Sequence, residues 1–394
     1  MTDISSPGLC ALPAGSRLVH IGPHKTGTTA VQAALFDVRE RLSEHGVEYP
    51  GDDRHPMYAA LAVTARPSMM GDSTPKESHW RKLVDEVGAT GDRTTVVSSE
   101  FFAEADDEAI ARIVGELGGE RVHVVVTLRP LAKILPSQWQ QYVQNGLRMG
   151  YVDWLEHMLR KPPYEQPNPS FWLRHRHDRL IERWTKAVGQ ENLTVIVVDD
   201  TDRTMLMRAF ESLLGLPGGL LAPVPDAANR SLTLGEIEMV RRFNIEFRKH
   251  DLPEQLYSRL LRYGAVPAMK TGRTPTPDEP RVTTPLWAME EAAGIGTEIA
   301  DRITRLGVRV IGDLALLHKS PSTRSGGEVA QSAPVIDPEA GAQALFGAIA
   351  AQAKLVPVRA TATGAPVQHL RSADLVKVLA RRARRRLSRN RPTR

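Results

Sequence analysis

The chain has 394 residues, 41% hydrophobic and 25% charged, which suits one large α/β domain with additions or two domains and excludes a wholly disordered chain. Its single cysteine, Cys10, excludes an internal disulfide and a cysteine-ligated metal cluster. The formal net charge is +5, but residues 371 to 394 hold ten Lys or Arg against Asp374 alone, which leaves the remainder at −4; the body of the chain is therefore not read as a nucleic-acid binder.

In chain order, residues 1 to 16 form an N-terminal arm with no basic leader region. No stretch of about 18 apolar residues occurs, and the expectation is a cytoplasmic protein. Short, continuous apolar runs follow at "RLVHIG" (17 to 22), "RTTVVSS" (93 to 99), "RVHVVVTL" (121 to 128) and "LTVIVVD" (193 to 199). Helical patterns separate them, the pattern of parallel strands covered on both faces. The expected fold is a three-layer α/β arrangement, a mainly parallel β-sheet with helices on both faces. Residues 230 to 264 read as helical from a capping box, Thr233 with Glu236. A Pro/Gly/Thr-rich loop is expected at 265 to 285, then a helix and a short β run within 295 to 317. The partition is a main domain at 17 to 318, a linker at 319 to 336 and a C-terminal helical extension at 337 to 394, which Asp337-Pro338-Glu339 opens.

Ligands of such sheets bind beyond the carboxyl ends of the strands. That rule selects Gly22 to Thr29, then Ser99 and Glu100, then Arg129, then Asp199 and Asp200. The first stretch, "GPHKTGTT", has the glycine spacing of a triphosphate-binding loop, yet Thr28 stands where that pattern has lysine and Lys25 precedes the second glycine. Two glycines, a cation and three threonine hydroxyls before a helix N-terminus make an oxyanion cradle.

"HIGPHKTGTTAVQ" resembles the 5′-phosphosulfate-binding loop of sulfotransferases that use 3′-phosphoadenosine 5′-phosphosulfate (PAPS), a family with bacterial members and a P-loop nucleoside triphosphate hydrolase-like fold. The resemblance spans most of 17 to about 317, including "ERWTKAVGQENLTVIVVDD" and "FESLLGLP". It implies that backbone amides from Lys25 through Thr26, Gly27 and Thr28 to Thr29, with the hydroxyls of Thr28 and Thr29, hold the 5′-phosphate. Lys25 then reaches the oxygen bridging phosphorus and sulfur. Charge in sulfuryl transfer grows largely on that oxygen, so one cation there serves and no metal is required.

Arg129 ends a strand and Ser137 follows eight residues on, within a helix beginning after Pro130. Alone this reads more readily as a capped helix after a strand; beside the loop it resembles the family's 3′-phosphate signature, arginine gripping with two parallel bonds. Glu100, past a strand end, is the candidate general base for the acceptor hydroxyl, His24 is the alternative, and a plain loop carboxylate is the bland reading. The product would be adenosine 3′,5′-bisphosphate.

Weaker features are "NRSL" (229 to 232), either a helix-leading turn or an anion contact, and "MKTGR" (269 to 273), where Lys270 and Arg273 are candidates for a late basic loop over the 3′-phosphate. "RHRHDR" (174 to 179) reads as a solvated face rather than a metal site, because His175 and His177, two apart on a helix, point in different directions. Trp139, Tyr142, Trp154, Phe171 and Trp172 line either an acceptor cleft or the core. The tail, with Leu375, Leu379 and Leu387 among its arginines, is either a basic amphipathic helix at a membrane surface or a solvated terminus. The acceptor is a glycan, lipid or small secondary metabolite. The competing readings are a P-loop kinase or NTPase, which "VIVVDD" favours and the missing Gly-Lys-[ST] opposes, and a non-catalytic nucleotide-binding scaffold.

Overall fold

Continuous apolar runs in the sequence become strands covered on both sides. A computed structural model describes residues 11–67, 75–161, 168–224, 230–319 and 335–353. Its six strands are β1 (Arg17–His20), β2 (Val47–Glu48), β3 (Thr94–Ser98), β4 (Val122–Leu128), β5 (Leu193–Val197) and β6 (Arg309–Ile311). They form one sheet in the order β2-β3-β1-β4-β5-β6, with every neighbouring pair parallel. This is the α/β architecture expected from the sequence. The four apolar runs supply the four inner strands, and all seven residues of β4 are buried. Edge strand β2, two residues long, has no counterpart in the sequence reading.

Alternation within each strand sends side chains to opposite layers. Leu18 and Val96 pack with Val31 and Phe210 on one face. Val19 and Val97 pack with Trp184 and Ile303 on the other. Each such aliphatic side chain contributes about 1.5–3 kcal/mol by leaving water. Beneath the first loop lies a polar rung: His20 Nδ1 meets Ser98 Oγ at 2.8 Å and its Nε2 meets Thr127 Oγ1 at 3.2 Å. Burial lowers the His20 pKa to about 3, so the rung is neutral.

A third cluster, beside the sheet, absorbs most of the midsequence aromatics. Trp139, Tyr142, Trp154 and Phe171 are buried there with Tyr257 and Met269, and Trp172 packs against them. These rings are core. Two further expectations change. Residues 265 to 285 are not all loop, since a π-helical segment Ser258–Ala265 runs directly into a helix Val266–Gly272. The missing N–H of Pro267 falls at the junction of the two helical forms, where the ladder is interrupted anyway. His175 and His177 are buried rather than solvated. The helix breaks at Arg176 (φ −79°, ψ 74°) between Ser170–His175 and His177–Val188, which turns both rings inward with centroids 5.9 Å apart.

The helix Pro338–Ala353 begins as anticipated, with Asp337 Oδ1 accepting from Glu339 N at 2.8 Å, and it packs on the 258–272 segment. Cys10, Asn229, most of the expected linker and the basic tail lie outside the described residues. Among the described residues no helix is long and apolar enough to cross a membrane.

The chain leaves β1 toward β2 on one side, and leaves β4 toward β5 on the other. Their diverging connections open a crevice between the carboxyl ends of β1 and β4.

Candidate active site

The loop after β1 is shaped by two glycines with left-handed backbone. At Gly22 (φ 76°) an added Cβ would stand 3.0 Å from Glu100 Cβ, and at Gly27 (φ 100°) 2.7 Å from Leu206 Cδ2. Bare backbone at 22 therefore lets Glu100 approach the loop. Lys25 is itself left-handed, with φ 68°, at a cost of about 1–2 kcal/mol that the surrounding loop holds in place. The side chain of Thr26 does not reach the crevice. Its hydroxyl donates to the Pro23 carbonyl at 2.6 Å and meets Thr127 Oγ1 at 2.7 Å, joining the loop to the polar rung below. The helix Thr28–Asp37 starts at the loop, so its first amides have no acceptor within the helix and face outward.

A cavity of about 560 Å³ lies over these amides, lined by Lys25, Gly27, Thr28 and Thr29 from the β1 loop. Arg129 from the end of β4 and Ser137 from the helix Leu131–Gln144 line it too, as do Glu100, His24 and Lys270. Eight of the sequence candidates thus share one crevice with Gly27. The Lys25 ammonium makes no hydrogen bond or ion pair with a described residue. Burial first, then the positive charges of Lys270 and Arg174, lower its pKa to about 8, against the pull of Glu100. Arg129 is already gripped: its Nη2 and Nε donate to Asp200 Oδ2 at 2.8 and 3.2 Å.

Glu100 opens a short 3₁₀ helix, Glu100–Glu104, capped by Ser99. Its Oε2 accepts from Gln32 Nε2 at 3.2 Å. Burial pushes this carboxyl up, but His24, His55 and the hydrogen bonds outweigh it and leave the pKa below the ordinary carboxylate value. Glu100 is therefore ionised at neutral pH. His24 is buried, and that burial holds its pKa below the usual imidazole value. Its Nε2 stands 3.6 Å from Glu104 Oε1, too long for a hydrogen bond. Glu104 is occupied by Arg174, whose Nε and Nη2 lie 2.8 and 2.7 Å from Oε1.

The opposite wall rests on Glu236, whose carboxylate is fully buried at the start of the helix Leu234–Lys249. Arg230 donates to both its oxygens at 2.8 Å and also to the carbonyls of Met269 (2.5 Å) and Lys270 (3.1 Å). Arg230 thereby holds the end of the Val266–Gly272 helix that carries Lys270. Arg273 does not line the crevice, contrary to expectation. It is buried, its Nη1 donating to Glu236 Oε1 at 2.7 Å and its Nη2 to Glu279, while its Nε has no hydrogen-bond partner among the described residues.

Some lining residues escaped the sequence reading. Gln141 and Gln144 line the crevice, on the same helix face as Ser137 at four and seven residues' distance, a spacing that was there to be read. His55 lines it from the loop after β2; with β2 unrecognised, nothing marked that loop.

No protein-family model matches the chain, and no curated protein matches it. Among solved structures, the crystal structure of a sulfotransferase from Alicyclobacillus acidocaldarius is similar over 64% of this chain and 97% of that one, at 16% identity and a TM-score of 0.39.

Proposed function

We propose that this protein is a sulfotransferase that moves the sulfuryl group of PAPS to an acceptor hydroxyl. The observation that carries the reading is the pairing, in one crevice at the β1/β4 switch point, of Lys25, Thr28 and Thr29 with Arg129 and Ser137. The first group suits a 5′-phosphosulfate and the second a 3′-phosphate. Lys270 adds a cation on the far wall.

In this mechanism Glu100 takes the acceptor proton as the acceptor oxygen bonds to sulfur. The bond from sulfur to the bridging oxygen breaks, and its electron pair leaves with the phosphate of adenosine 3′,5′-bisphosphate. Lys25 stabilises that developing charge without a metal ion. His24, with Nε2 directed at Glu104, shapes the loop and leaves the base role to Glu100. The protein would work in the cytoplasm on a glycan, lipid or small-metabolite acceptor, with peripheral membrane contact through its basic tail a further element of the proposal.

The kinase or NTPase reading is weakened by the aspartates that suggested it. Asp199 accepts from Thr201, at 2.9 Å from N and 2.7 Å from Oγ1, and Asp200 holds Arg129.

Calorimetry tests the reading: adenosine 3′,5′-bisphosphate is expected to bind without Mg²⁺ and more tightly than ATP with Mg²⁺, and the reverse order would refute it. Sulfuryl transfer from PAPS to a panel of hydroxylated acceptors, read by mass, separates the enzyme from a scaffold. Glu100→Gln is expected to lower turnover by about 10²-fold or more.

A further inference from the structure

A second cavity, of about 450 Å³, adjoins the crevice and shares His55 and Met57 with it. It lies between the loop after β2 with the start of the helix Met57–Val63, residues 51 to 59, and the face of the helix Glu77–Ala89 that presents His79, Lys82 and Glu86. Its size falls in the range of small-molecule sites, about 300–1,000 Å³. The junction is next to the base: the His55 ring lies nearly parallel to that of Phe101, the neighbour of Glu100, at 6.4 Å between centroids and 16° between planes. The His55 Nδ1 is buried without a hydrogen-bond partner among the described residues.

The two cavities differ in chemistry. The crevice collects Lys25, Arg129, Arg230 and Lys270 against Glu100, which suits a polyanion. The second cavity mixes Asp52, Asp53 and Glu86 with Arg54 and Lys82, and Lys82 is paired with Asp52 and, at 3.5 Å, with Glu86. Near charge balance favours a neutral ligand. Carboxylates accept from hydroxyls, while ammonium and imidazole N–H groups donate to them. A hydrocarbon alcohol would desolvate these groups without replacing their hydrogen bonds. Tyr58, 47% exposed and 5.5 Å from His79 between centroids, adds a flat apolar platform at the rim.

We propose that this second cavity is the acceptor subsite and that it takes a neutral polyhydroxylated molecule of the sugar class, whose reacting hydroxyl reaches Glu100 past His55 and Met57. The acceptor role rests on the sulfuryl-transfer reading; the sugar site itself does not.

Saturation-transfer NMR and calorimetry test it, with maltose, cellobiose, lactose and trehalose as sugar probes and 1-octanol and 4-nitrophenol as apolar alcohols. The wild-type chain is expected to bind at least one disaccharide and neither apolar alcohol. Tyr58→Ala and Asp53→Asn, both at exposed positions, are expected to weaken that binding by about ten-fold, while the Kd for adenosine 3′,5′-bisphosphate stays within about two-fold. No disaccharide binding, preference for an apolar alcohol, or disaccharide binding untouched by both variants would overturn the proposal. Sugar binding lost in the two variants of a chain that ignores adenosine 3′,5′-bisphosphate would support the sugar site and refute the donor reading separately.

Discussion

The two walls of the crevice are built by different means. On the β1/β4 side, Lys25, Thr28, Thr29, Glu100 and Arg129 stand at or just beyond strand ends, and parallel pairing of β3, β1 and β4 brings them together. On the other side, Lys270 sits on a short helix whose end is fixed by Arg230 and by the buried carboxylate of Glu236. The first wall was legible because continuous apolar runs locate strands and strand ends locate ligands. The second was not: Arg230 and Arg273 look alike in sequence, and only packing around Glu236 puts one at the crevice and the other beneath it. A wall held by side-chain charges is also more fragile than one held by a sheet.

The largest expected effect follows from that fragility. Glu236→Ala leaves Arg230 and the buried Arg273 without their shared partner and is expected to cost about 3–5 kcal/mol of stability in urea unfolding. It would also release the end of the Lys270 helix and weaken adenosine 3′,5′-bisphosphate binding. A loss under about 1 kcal/mol would mean that Glu279 alone satisfies Arg273.

On the strand-end wall the effect should fall on rate instead. Lys25→Ala is expected to lower turnover by about 10²–10³-fold with little change in Tm, since Lys25 has no ion pair among the described residues and alanine bears the same left-handed backbone. Unchanged turnover would remove Lys25 from the mechanism. Because its pKa is lowered to about 8 and the proposed role needs the cation, kcat/KM of the wild type should fall as pH rises through about 8.

Smaller than either is a pH effect that sequence spacing hid. A spacing of two diverges only on an unbroken helix, and the break at Arg176 internalises both His175 and His177. Burial lowers the His177 pKa to about 4 and that of His175 well below its usual value. The unfolded chain then binds more protons below about pH 6.5, so stability falls as pH drops. His177 alone should remove about 2 kcal/mol between pH 7 and pH 5. His177→Phe is expected to flatten that slope, and an unaltered slope would assign the acid loss to other groups.

The smallest effect distinguishes the walls most finely, because it concerns a strand-end residue already engaged. Asp200, after β5, occupies the Arg129 guanidinium with one carboxylate oxygen, in the fork that a phosphate oxygen would use. A 3′-phosphate that took this fork would displace it. The pair is partly exposed, so breaking it costs only about 0.2–1 kcal/mol, and Asp200→Asn should tighten adenosine 3′,5′-bisphosphate binding by a few-fold. Adenosine 5′-monophosphate, which has no 3′-phosphate, should bind both chains equally. Equal tightening of both nucleotides would indicate a general loss of negative charge near the crevice. Weaker binding of the bisphosphate alone would show that Asp200 orients Arg129 for its ligand, and the strand-end wall would then depend on a side-chain pair just as the opposite wall does.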